Sequence, residues 1–187
     1  MSEQAAFGTG SEPVESPASD RSYGRSFIEA LHYADVRIVT AVPESRLKDV
    51  FQALPNEDGI RYVPVTNESE MPGVVAGAYF GGVRAMMLME NSGLRQACEP
   101  ITRFAYAHKV PLVMAVTHRG EFGEPNWWGH NHSQVMIPLL EALRIPYQRL
   151  STIDSLSESI DSAFVHADAS QWPVCLILEG ECVADVV

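Results

Sequence analysis

Cysteine is scarce in this chain: Cys98, Cys175 and Cys182 lie far apart and form no CxxC pair. That spacing excludes a disulfide framework or a cysteine-built zinc site, and suits small apolar fillers in a reducing cytoplasm. Long apolar runs are missing too, none approaching the roughly 20 residues of a membrane helix. Positive charge is in short supply, with 13 Lys and Arg against 24 Asp and Glu and a net charge of −11. Such a surface repels nucleic acid and anionic lipid, so a basic-groove binder or a membrane-surface protein is not expected. The first 20 residues carry no Lys or Arg, which argues against a secretory or transit leader. There is no GxGxxG, no P-loop GKS or GKT, no GxSxG elbow, and no cysteine beside a plausible histidine partner. Nucleophilic hydrolysis and the common phosphate-cradling loops are thereby set aside.

What remains is rich in core material. Hydrophobic residues make up 46% of the 187, enough for one domain that hides roughly 70% of its unfolded surface. Residues 1–20 are rich in Ser, Glu, Ala, Gly and Pro and read as a disordered tail, leaving 21–187 as the domain. From there helical spacing and short β-branched runs alternate about six times. The predicted strands are 37–43, 61–65, 84–90, 111–117, 147–150 and 173–179. Helices are expected around Phe27–Ala34, Leu47–Leu54, and over 71–81, 94–108, 133–144 and 154–168. This alternation specifies an α/β fold, a three-layer sandwich with a mostly parallel six-stranded sheet.

In such sheets ligands meet the chain just past the carboxyl ends of the strands. The rule selects Pro43–Glu44–Ser45, Thr66–Asn67–Glu68, Glu90–Asn91–Ser92–Gly93, Thr117 to His132, and the end after Glu179. Pro72 keeps the following helix from starting much before Ser69, so Glu68 stands at its amino end, where a carboxylate is favoured by the helix dipole. Read alone, Glu68 and Glu70 do no more than cap that helix. Asn91, Ser92 and Gly93 offer short polar side chains and turn amides, or simply a helix cap. His118 and Arg119 suit an anionic ligand. The stretch from Thr117 through Trp127, Trp128, Gly129, His130 and His132 reads as a loop of about 15 residues, a length that usually serves function. His130 and His132 lack a third ligand, so no metal is assigned to this chain.

The succession VP (42–43), PVTNESE (64–70), VAGAYFGG (75–82), LMENSGL (88–94), KVP (109–111), THRGE (117–121) and IPY (145–147) resembles the pyrimidine-binding domain of thiamin diphosphate-dependent 2-oxo acid decarboxylases. The likeness is greatest to sulfopyruvate decarboxylase α subunits, with phosphonopyruvate decarboxylases next, and runs from about residue 25 to 180. It implies that Glu68 is catalytic, hydrogen-bonding N1′ of the cofactor's aminopyrimidine and favouring its 4′-imino tautomer. It further implies cofactor contacts from Pro43, Asn67, Glu68 and Asn91. A small anionic 2-oxo acid would be held by Asn91, Ser92, Gly93, His118, Arg119 and Gly120. The family holds the diphosphate through Mg2+ with a GDG motif, which this sequence does not contain. The resemblance therefore implies a β subunit carrying GDG, in an α/β heterotetramer or larger assembly, with decarboxylation only by the pair. Met71 and Pro72 replace the small residues frequent after the family's glutamate, and Glu44 stands where a small or neutral residue is expected and would repel a dianion. Phosphonopyruvate or another 2-oxo acid as substrate, a non-catalytic module of the same fold, and a metal hydrolase using His118, His130 and His132 are the competing readings.

Overall fold

The computed structural model describes residues 22–184, so the segment expected to be a tail lies outside the described residues. The elements follow in strict alternation: α1 (Tyr23–Tyr33), β1 (Ile38–Ala41), α2 (Lys48–Ala53), β2 (Arg61–Pro64), α3 (Met71–Phe80), β3 (Ala85–Glu90), α4 (Asn91–Pro100), β4 (Val113–Thr117), α5 (Trp127–Ala142), β5 (Tyr147–Leu150), α6 (Leu156–Ser170) and β6 (Val174–Leu178). Helix α4 runs on through a π-helical turn, Ile101–Ala105, and a last turn, Tyr106–His108. Pro100 has no amide to donate and stands just ahead of that widened turn, a usual place for a π-bulge.

All six strands are parallel, in the order β2-β1-β3-β4-β6-β5. The sheet is thus wholly parallel rather than mostly so. Its central strands alternate between two cores because successive side chains leave opposite faces. Met86 and Leu88 of β3 pack with Phe27, Leu31, Val50, Ile160 and Phe164, from α1, α2 and α6. Met87 and Met89 pack with Met71, Val75, Leu94, Ile101, Met136 and Leu140, from α3, α4 with its π-turn, and α5. Burial on both faces is why these strands read as unbroken apolar runs.

One expected element is corrected. The stretch 118–132 is not all loop, because α5 begins at Trp127, placing Trp127, Trp128, His130 and His132 on its first turns. Its aromatic and polar start conceals the helical period, and tertiary contacts hold it. The Glu124 carboxylate lies against Gly129, and Gly120, at φ +102, faces the Gly129 carbonyl so closely that no β-carbon fits. The helix over 94–108 likewise starts earlier, at Asn91, with no turn between it and β3.

Candidate functional site

The chain leaves β1 toward β2 on one side and returns to β3 on the other. The carboxyl ends of β1 and β3 therefore flank the topological switch point, where open α/β sheets bind ligands. Glu44 follows β1 there, and Glu90–Asn91 close β3 and open α4. Glu44 Oε2 accepts the Arg46 amide at 2.7 Å, while its Oε1 is buried without a partner. Burial pushes the Glu44 carboxyl up to about 7; the Arg46 amide opposes this, and the nearby Glu90 carboxylate reinforces it. The charge that would repel an anion is thus reduced by about half near neutrality. Asn91, only 2% exposed, donates from Nδ2 to the Arg119 carbonyl at 2.8 Å and leaves Oδ1 unpartnered. Thr117, fully buried at the end of β4, turns its hydroxyl toward the Glu44 carboxyl, outside good hydrogen-bond geometry. Three adjacent strands therefore bring three buried oxygens that lack a well-formed hydrogen bond to one end of the sheet, with Glu44 and Thr117 facing each other and Asn91 Oδ1 open.

Glu68 enters from the edge strand. Asn67 Oδ1 accepts the Ser69 amide at 2.9 Å and sets a 3-10 turn, Glu68–Glu70, ahead of α3, with Pro72 in the first turn as its missing amide requires. The half-buried Glu68 side chain lies directly against Gly93 in the first turn of α4. Pro43 and Ser92 sit on the β1 and β3 exits, the first exposed and the second half-buried.

His118 and Arg119 leave β4 in different directions. His118 is buried, and its Nδ1 lies 3.2 Å from Glu121 and 3.6 Å from Glu179. Arg149 donates to Glu179 at 2.8 Å and stands 3.8 Å from Glu121. Although His118, Glu121 and Glu179 bring ligand atoms within 4.8 Å of one another, Arg149 already supplies the positive charge there. Burial works against the charge of Glu179, but hydrogen bonds from Arg149 outweigh it and hold the carboxyl below its usual range. Arg119 is paired with Glu124 at 3.2 Å and Glu90 at 3.6 Å, and lies over the Trp128 ring at 5.8 Å. Burial of Glu124 is likewise outweighed, by the Asn126 amide and side chain and by Arg119, so its carboxyl is lowered. A depression of about 190 Å³, lined by Arg46, Arg119, Gly120 and the loop to Pro125, opens beside this cluster. His132 is 2.9 Å from Arg95 and 4.0 Å from Glu90, whereas His130 points elsewhere, since two residues on a helix diverge by about 200°.

Sequence reasoning passed over Arg149, Arg46 and Glu124. Arg149 is on a strand too exposed to announce itself, though its place beside the Glu179 exit is a signal that strand order makes readable.

No protein-family model matches the chain. It is 33% identical over 152 residues to the sulfopyruvate decarboxylase subunit alpha of Methanococcus maripaludis, covering 81% of this chain and 91% of that protein. It is 29% identical to the phosphonopyruvate decarboxylase of Streptomyces viridochromogenes over 80% of this chain, spanning 38% of that longer protein. A 2-oxoglutarate:ferredoxin oxidoreductase from Magnetococcus marinus shares the fold at TM-score 0.63 and 16% identity, over 87% of this chain and 29% of its own. Among the described residues no helix is long and apolar enough to cross a membrane. The parallel sheet, the polar switch point and this extent of likeness converge: the chain belongs to the family of sulfopyruvate decarboxylase α subunits.

Proposed function

We propose that the chain is the α subunit of a two-chain decarboxylase acting on a small anionic 2-oxo acid, with sulfopyruvate the first candidate and phosphonopyruvate the second. The cofactor is thiamin diphosphate, of which this chain receives the aminopyrimidine. The observation that carries the reading is the set of buried oxygens of Glu44, Asn91 and Thr117 that lack a well-formed hydrogen bond at the switch point, next to the exit that bears Glu68. As acceptors, Glu44 Oε1 and Asn91 Oδ1 suit the amino group of a flat, polar heterocycle, and the Thr117 hydroxyl can donate or accept. A second chain with the GDG sequence would hold the diphosphate and Mg2+, and the product of assembly would be an α/β heterotetramer or larger.

When bound, the cofactor supplies the carbon nucleophile that adds to the 2-oxo carbon and the electron sink into which CO2 departs. Glu68 is assigned the proton shared with ring nitrogen N1′, a role for which a half-buried carboxylate is suited because water competes poorly there. Pro43, Asn67 and Asn91 would hold the ring. Glu44, protonated about half the time at neutral pH, is assigned to hold a proton that it could donate toward the bound substrate. Ser92, Gly93 and Gly120 contribute backbone at the pocket wall, while Arg119 brings positive charge toward the substrate and His118 an imidazole at the edge of the site. The acidic partners of His118 and Arg119 hold both side chains in fixed orientations and limit how much net charge they offer.

The test is CO2 release from a panel of 2-oxo acids by this chain with its GDG-bearing partner, thiamin diphosphate and Mg2+. Neither chain alone should turn over, and Glu68→Gln should abolish turnover while the complex still elutes as one particle. Full activity of the Glu68→Gln complex would overturn the assignment. A complex whose melting temperature ignores the cofactor would favour a non-catalytic module, because a ligand specific to the native state must stabilise it.

A further inference from the structure

We propose that Gly93 is a positioning residue, the steric seat of the Glu68 side chain. A β-carbon built on Gly93 would lie 2.5 Å from Glu68 Cγ, 2.7 Å from Cδ and 2.6 Å from Oε1, far inside van der Waals contact. The glycine is not required by its backbone. It is the third residue of a ten-residue α-helix and needs no left-handed dihedral angle. Glycine there weakens the helix relative to alanine, so position 93 carries a local cost that only the tertiary neighbour explains. Gly73 and Gly77 of α3 show the contrast, since a β-carbon at either meets nothing within 4 Å.

Shape, rather than hydrogen bonding, holds the carboxylate. Among the described residues none donates a hydrogen bond to the Glu68 side chain, whereas its neighbours Asn67 and Glu70 are both engaged, with Ser69 and Thr66. Glu68 is confined behind by its 3-10 turn and in front by the bare face of α4. Both of its oxygens stay available to a ligand while the side chain keeps its direction. A methyl group at position 93 would push the carboxylate out of that direction by about the width of the overlap, around 1 Å, and errors of that size are costly in a reacting geometry. The inference rests on assigning Glu68 to the cofactor's pyrimidine.

The experiment is a double-mutant cycle on the full chain, read first as melting temperature. Gly93→Ala should leave Tm a few °C lower, relative to its parent, than the same change does in the Glu68→Ala background, a modest gap because the displaced atoms are the end of a flexible side chain. In the Glu68→Ala background the same change should be neutral or stabilising, because the clash is gone and the helix gains alanine's propensity. If Gly93→Ala alone does not fold, recovery of folding in the Glu68→Ala, Gly93→Ala double variant carries the same meaning. The second reading is thiamin diphosphate affinity of the complex with the GDG-bearing chain, measured by titration calorimetry, which Gly93→Ala should weaken about tenfold or more. Equal Tm changes in the two backgrounds would overturn the seat. A wild-type complex that fails to bind thiamin diphosphate would instead overturn the cofactor assignment, and the melting temperatures would still decide the steric coupling.

Discussion

Glutamine at position 44 keeps the shape of the glutamate and removes its charge, which makes the cost of that buried carboxyl measurable. In the native chain Glu44 holds its proton up to about pH 7, whereas in the unfolded chain it releases it near 4.5. The native state therefore binds more protons across that window, and the stability contributed at this site falls as pH rises from 4.5 to 7. The full difference is about 3 kcal/mol, with burial its main source and Glu90 adding to it. The amide oxygen of glutamine can still accept from the Arg46 backbone, so that contact is retained. Urea unfolding of both proteins at pH 5 and pH 8 should show the stability gain of Glu44→Gln growing by about 2–3 kcal/mol between the two pH values, at unchanged m-value. For a domain of this size that is about 5–10 °C in Tm at the higher pH. The same variant should lose turnover in the assembled enzyme, a gain in stability bought with function. Parallel stability curves for the two proteins would refute the reasoning, since they would mean that Glu44 titrates as it does in water.

The Arg149–Glu179 pair has the opposite sign. The Glu179 carboxyl is depressed in the native chain, so its contribution is present above the unfolded value near 4.5 and is lost as pH falls through the native one. Arg149→Gln should destabilise at pH 7, make little difference well below pH 4, and move the acid-unfolding midpoint of the circular dichroism signal to higher pH. High salt should shrink the difference, because Arg149 is about half exposed. Leu88→Ala, at a fully buried position on the central strand, should cost about 2–5 kcal/mol in urea unfolding. A loss below about 1 kcal/mol would show that the two cores can collapse around the gap.

The order of strands and helices could be read from the chain because doubly buried strands must be continuously apolar, and AMMLME, VMAVT and VCLIL allow few other readings. The position of Glu68 followed from Pro72, whose missing amide dictates where a helix can begin. Helix α5 was not legible at its start, because Trp127 to His132 carry no apolar period and are held by Glu124 and Gly120 of the preceding loop, which close on Gly129 within the helix.

Local chemistry thus determined which residue types would stand at the strand ends, since alternation and turn signals are short-range. Only the tertiary structure decided what those residues face. Strand order, a non-local property, buried Glu44 with Glu90 nearby and so raised its pKa, and turned His118 to Arg149 and Glu179. It also set Arg119 between two carboxylates. Desolvation and charge pairing depend on distance through space, and spacing along the chain does not encode that distance.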